Sequence, residues 1–80
     1  MKKFEIINGK WIKVDSYHSS HIDICKIDSI SQITYREEDR NANYIDIYNH
    51  GGRIIISYNE SEQELSKSDF IFLKNLLCNK

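Results

Sequence analysis

The chain has 80 residues, with 11 lysines and arginines against 12 aspartates and glutamates, for a formal net charge of −1. That balance lacks the basic footprint that extended nucleic-acid binding draws on. No apolar run approaches the roughly 18–20 residues of a membrane span, and Cys25 and Cys78 form no CxxC pair. The composition therefore predicts a single small domain, 1–80, cytoplasmic, with free thiols and no bound cofactor, membrane or extended nucleic acid. A chain this short buries only about 60–65% of its unfolded surface. Surface borrowed from a second subunit is the simplest reinforcement of so thin a core. Proline is absent, and isoleucine, lysine and asparagine are abundant, the bias of AT-rich bacterial and phage genomes.

In chain order, Phe4-Glu-Ile-Ile7 and Lys10-Trp-Ile-Lys-Val14 flank Asn8-Gly9, which spells a two-residue turn with positive φ at both central positions. In that register Ile6 opposes Trp11 and Ile7 opposes Lys10. One face then carries Phe4, Ile6 and Trp11, and the other Ile7, Ile12 and Val14. A hairpin apolar on both faces is expected to be covered twice, by a helix and by another subunit.

Residues 15–21 are polar and turn-like, and Ile22-Asp-Ile-Cys25 is a short strand or a lead-in to a turn. Ser29-Ile-Ser-Gln-Ile-Thr-Tyr35 alternates around Ile33 and Tyr35 with Ile30 out of phase, so a β-bulge near Ser31-Gln32 is expected. Residues 36–43 read as a charged, mobile loop. Tyr44 to Tyr58 is a second hairpin, closed either by Gly51-Gly52 or by the four residues 49–52. Either closure puts Ile45, Ile47, Ile54 and Ile56 on one face and Tyr44, Asp46, Tyr48, Ile55 and Ser57 on the other.

Ser61-Glu-Gln-Glu64 spells a capping box, with Ser66 or Ser68 as alternative helix starts. Phe70, Leu73, Leu76 and Leu77 recur at helical spacing, broadened by Ile71 and Phe72. Lys74 and Lys80 suit the negative pole of a helix running to the end of the chain. The predicted fold is α+β: a small antiparallel β-meander of four or five strands with one C-terminal helix.

Chemistry-bearing residues are sparse. His18 and His21 with Asp23 and Cys25 form the one ligand-type cluster, but the spacing matches no zinc pattern, and no metal is predicted. Cys25 lacks a loop that would make it a nucleophile, and Cys78 reads as core or interface. Glu37-Glu38-Asp39 is a solvated charge run rather than an acid–base pair. Asn49-His50-Gly51-Gly52-Arg53 can turn backbone N–H groups outward beside two cationic side chains, an arrangement able to hold an anion. The missing catalytic pattern predicts that the chain is not an enzyme.

The Ile7-Asn8-Gly9-Lys10-Trp11-Ile12 turn, the 45–56 hairpin and Ser61-Glu62-Gln63-Glu64 together resemble the FlbD-type small flagellar-operon proteins. Those open with an Asn-Gly hairpin, continue with an I-x-L-x-N-G hairpin and finish with a glutamate-rich helix. The chain departs from them in its long 15–43 middle and in lacking a proline-led turn before the second hairpin. The resemblance implies the architecture and not a flagellar role. In size and composition the chain is also similar to small phage-encoded proteins that bind a host factor or sequester a nucleotide signal.

Two functional expectations follow. The first is a non-enzymatic, self-associating interaction protein, a homo-oligomer with Trp11, Tyr44 and Ile55 at its interface and a host protein as a further partner. Ile55, set among apolar neighbours but pointing away from them, is expected to be covered by the C-terminal helix or by a neighbouring subunit. The second is an intersubunit pocket for a small phosphorylated nucleotide. There Arg53, His50, Arg36 and Lys26 would face phosphate, and Tyr48 or Trp11 would stack the base.

Overall fold

A computed structural model describes residues 2–15, 22–39 and 42–79. It contains two antiparallel three-stranded sheets and one C-terminal helix, an α+β fold. The first sheet is β1 (Phe4–Ile7), β2 (Trp11–Asp15) and β3 (Ile22–Lys26) in that order. The second is β4 (Ile30–Asp39), β5 (Ala42–Asn49) and β6 (Gly52–Asn59), with β5 central. A 3-10 turn at Ile27–Ser29 joins the sheets, and another at Glu60–Glu62 leads into α1 (Gln63–Cys78). The expected antiparallel strands and C-terminal helix are present, and among the described residues the strands number six and divide between two sheets.

The first hairpin corrects the predicted register. Asn8 and Gly9 do take positive φ, 54° and 67°, and the Lys10 N–H donates to the Ile7 carbonyl at 3.0 Å. Strand pairing, however, resumes at Ile7–Trp11, so that Ile6 opposes Ile12 and Phe4 opposes Val14. The reason is tertiary: the Lys10 carbonyl accepts from the Ile27 N–H at 2.9 Å, which draws Lys10 out of the ladder. This one-residue shift collects Phe4, Ile6, Ile12 and Val14 on a single face. Phe4, Ile12 and Val14 are buried there, and Glu5, Ile7, Trp11 and Lys13 occupy the other face. The outer face is mixed, with Ile7 and Trp11 paired beside Glu5 and Lys13.

The second sheet follows its sequence pattern closely. Ile45 opposes Ile56 and Ile47 opposes Ile54, and all four are buried. Pairing runs to Asn49–Gly52, so Tyr48 faces Arg53, the register of the four-residue alternative. The expected bulge is present, since β4 slips by one residue between Ile30 and Gln32 and both Ile30 and Ile33 meet the core. The segment read as a charged loop is strand as far as Asp39, with Arg36 opposite Tyr44 and Glu37 opposite Asn43.

The capping box is not on α1 itself, since Glu62 before it makes no side-chain cap bond; the box closes on the preceding 3-10 turn. Asn59, not Ser61, forms the capping box: its Oδ1 accepts from the Ser61 N–H at 3.0 Å, while Glu62 Oε1 accepts from the Asn59 N–H at 3.0 Å. Leu73 is fully buried in the core that both sheets share. Ile71 does not broaden the stripe; it is 58% exposed. Phe72 lies at the margin, its ring 5.6 Å from that of Phe4. No basic residue stands in the last turn, which ends at Cys78, and Lys80 lies outside the described residues.

Two polar side chains seat the helix. Ser66 Oγ donates to the Gln63 carbonyl at 2.6 Å, accepts from Asn43 Nδ2 at 3.3 Å and lies 3.2 Å from the Tyr35 hydroxyl. Asp69 Oδ2, also buried, accepts from the Tyr58 hydroxyl at 2.7 Å and from the Lys3 N–H at 3.3 Å. Burial and the adjacent Asp69 both push the Tyr58 phenol far above its ordinary range, so it stays a donor. Tyr58→Phe would leave the carboxylate short of its nearest donor. The expected loss is about 1–3 kcal/mol of unfolding free energy, measurable by urea denaturation.

Glu62 supplies a pH dependence. The Asn59 N–H first, and Lys3 second, hold its carboxyl below the usual range, with Lys3 Nζ at 2.8 Å. A depressed folded value contributes stability above the ordinary carboxylate range, and that stability is lost as pH falls through it. Glu62→Gln should therefore flatten the acid limb of a melting-temperature profile and leave its neutral-to-basic limb parallel to that of the unmodified protein.

Candidate functional site

The candidate site is the face of the second sheet turned away from the helix. Because α1 packs against the Ile45/Ile47/Ile54/Ile56 side, strand alternation puts Thr34, Arg36, Tyr44, Asp46, Tyr48, Arg53, Ile55 and Ser57 on the opposite side. At its centre Asp46 is only 1% exposed, on the side of the sheet away from the helix. Arg36 closes the space: Nε donates to Asp46 Oδ2 at 2.7 Å and Nη2 to Oδ1 at 3.3 Å. Thr34 Oγ1 donates to the same carboxylate at 3.4 Å.

This two-pronged contact is the strong form of a carboxylate–guanidinium pair. The Asp46 hydrogen bond raises the Arg36 pKa further still. Arg36 also contacts Glu38 Oε1 through Nη1, and its guanidinium lies 4.7 Å from the Tyr44 ring centre. With two carboxylates and a ring around it, Arg36 is not available to neutralise a phosphate. The register explains why the sequence hid this. Asp46 is legible as a neighbour of Tyr44 and Tyr48, but its partner lies on a strand that reads locally as a loop.

The other anion-binding candidates are set at one end of the same face. Tyr48 is half-buried opposite Arg53, while Arg53 and His50 are exposed. The predicted nest of outward N–H groups is partly occupied, because Asn49 Oδ1 accepts from the Gly51 N–H at 2.8 Å. The turn residues are His50 and Gly51, and Gly52 alone takes positive φ, at 139°. A phosphorylated nucleotide would have to be held by Tyr48, Arg53 and His50 without Arg36. Lys26 belongs to a different surface: its ammonium lies 5.5 Å from the Trp11 ring centre on the first sheet.

The predicted interface residues are divided between the two sheets. Tyr44 and Ile55 share the outer face of the second sheet, both half-buried, with Ile55 paired across the strand to Asp46. The helix does not cover Ile55. Trp11 stands on the outer face of the first sheet beside Lys13, across from Lys26, with Ile24 on the same face and 52% exposed. Ile24 thus points outward, and Asp23 and Cys25 take the inner side. His18, His21 and Tyr17 lie outside the described residues.

Burial pushes the Cys25 thiol above its ordinary value, with Asp23 adding to the rise and Ser29 opposing it. A thiol held protonated is a poor nucleophile. Cys78 is exposed on the helix and not in the core.

No family model, no curated protein and no solved structure matches this chain. The resemblance to FlbD-type proteins rests on the two hairpin motifs and the Ser61-Glu62-Gln63-Glu64 spelling alone.

The ion pair is asymmetric, with Asp46 enclosed and the Arg36 side chain 36% exposed. Removing the arginine strands a carboxylate beneath the face, whereas removing the aspartate lets the guanidinium turn to water. Arg36→Ala should therefore lower the melting temperature more than Asp46→Ala. The reverse order in thermal denaturation would show that Asp46 gains its stability from Thr34 and the strand instead.

Proposed function

We propose that this chain is a non-enzymatic binding protein, of bacterial or phage type, that acts by associating with copies of itself. The observation supporting this is the one-sided cover of the second sheet. Its inner face lies under α1, and its outer face presents Tyr44, Tyr48 and Ile55, half-buried, on the side away from the helix. Large aromatic and branched side chains around a closed, neutral ion pair form a surface of the composition found at the centre of protein interfaces, where free charge is depleted.

The acidic groups argue in the same direction. Asp46 is tied to Arg36, Asp69 to Tyr58, and Glu62 to the helix cap and Lys3. Each of these carboxylates holds the fold together, and none is poised over a cleft as a proton donor or acceptor would be.

Multi-angle light scattering at tens of micromolar is expected to return a mass that is a multiple of the 9.5 kDa chain. A folded protein that scatters as a 9.5 kDa monomer throughout that range would overturn this function.

A further inference from the structure

Strand β4 is ten residues long and, among the described residues, pairs on one side only, with β5. An unpaired strand edge is a template for another strand, and proteins usually interrupt it with proline, bulges or charge. Here the interruptions are at the ends. The ladder slips between Ile30 and Gln32 and again between Glu37 and Asp39, while Gln32 to Glu37 pair with β5 without a break. The chain has no proline. The regular segment is thus a short, straight edge bounded by two bends.

From this edge we infer that two copies of the chain join β4 to β4, antiparallel across a two-fold axis at Thr34, into one continuous six-stranded sheet. The inference rests on the self-association proposed above but sets the contact at the edge of the second sheet, which leaves Tyr44, Tyr48 and Ile55 of both copies on one continuous outer face.

Parity and chemistry select the axis. Directly opposed residues in an antiparallel pair point to the same side, so an axis through a residue keeps both helices on one face of the joined sheet. An axis at Tyr35 would set Ile33 against Glu37 of the second copy, a carboxylate in an apolar layer. An axis at Ile33 would set the bulged Ser31 against Tyr35. The axis at Thr34 pairs Thr34 with itself, Ile33 with Tyr35, and Gln32 with Arg36. These are a threonine pair, a branched–aromatic pair and a polar pair, all of the favourable kind. It also leaves Glu37, Glu38 and Asp39 outside the paired segment.

Packing beside the edge agrees. Ile33, Tyr35 and Phe70 lie on the helix side of the second sheet, yet all three are only partly buried against the core. The Tyr35 and Phe70 rings are 5.4 Å apart. The same three residues of a second copy, brought up by this pairing, would extend the core across the axis and cover them.

The test uses one cysteine at a time. Directly opposed residues have Cα atoms about 4.5–5.5 Å apart, within the roughly 4.4–6.8 Å that a disulfide spans. In a Cys25→Ser, Cys78→Ser chain, Thr34→Cys is expected to oxidise to a covalent dimer, and Ile55→Cys in the same background is not. Independently, Thr34→Lys in the unmodified chain sets two lysines directly opposite each other on the axis. It should weaken the dimer by about tenfold or more in Kd, and it decides the matter if the cysteine variants fail to fold.

A dimer whose Kd is unchanged by Thr34→Lys, or one that cross-links through Ile55→Cys and not through Thr34→Cys, overturns the edge pairing and leaves self-association standing. A monomeric unmodified protein overturns both.

Discussion

The carboxylate of Asp69 is the point on which the three parts of the molecule meet. It takes one hydrogen bond from Tyr58 at the end of β6 and another from the backbone N–H of Lys3 just before β1. A buried carboxylate is tolerated only where donors satisfy it, so the helix can dock only with this position over both sheets. Ser66 sits one turn earlier on the same helical face and reads Asn43 and Tyr35 in the same way. With those two positions fixed, Leu73 falls one turn later into the isoleucine layer, and Phe72 is turned toward Phe4. The apolar residues supply the burial, while the polar pair selects one rotation of the helix among several that would bury as much.

Parity made much of this legible in the sequence. Ile45, Ile47, Ile54 and Ile56 share a face under either closure of the second hairpin, so their burial needed no knowledge of the turn. The bulge at Ser31 was legible because Ile30 and Ile33 are both apolar at a spacing no regular strand allows on one face. The first hairpin was not legible in this way. Asn8-Gly9 has the right turn chemistry, and both residues adopt it, but the Ile27 N–H takes the Lys10 carbonyl from another part of the chain and moves the ladder by one. A local spelling cannot contain that contact. The same limit applies to the capping box, where Ser61-Glu-Gln-Glu64 has the right letters, and Asn59 is already placed by the end of β6 to cap the 3-10 turn that precedes α1.

The site was legible by composition and not by connection. Tyr44, Asp46 and Tyr48 alternate visibly, but what makes the surface is Arg36 reaching from β4 over Asp46. That pairing turns a face with a buried charge and a free cation into one with neither. It accounts for the loss of Arg36 as an anion ligand and for the aromatic character that remains once the charges have cancelled. The residues that could still meet an anion, His50 and Arg53, stand at the turn, beyond the pair.

The register of the first hairpin also changes where surplus apolar surface is to be found. With Ile12 and Val14 turned into the shared core, β2 keeps Trp11 and Lys13 on its outer face, and the thinly covered inner margin lies on the second sheet. There the inner face is covered to different depths: Ile45 and Ile47 on the central strand are fully buried, whereas Ile33 and Tyr35 on β4 are not. A single 16-residue helix laid over three strands covers the middle and leaves one margin thin. Extending the sheet past that margin thickens the core where it is weakest, and it satisfies a row of backbone groups that packing against an outer face would leave to water. For a chain short of core, an edge supplies both kinds of contact at once.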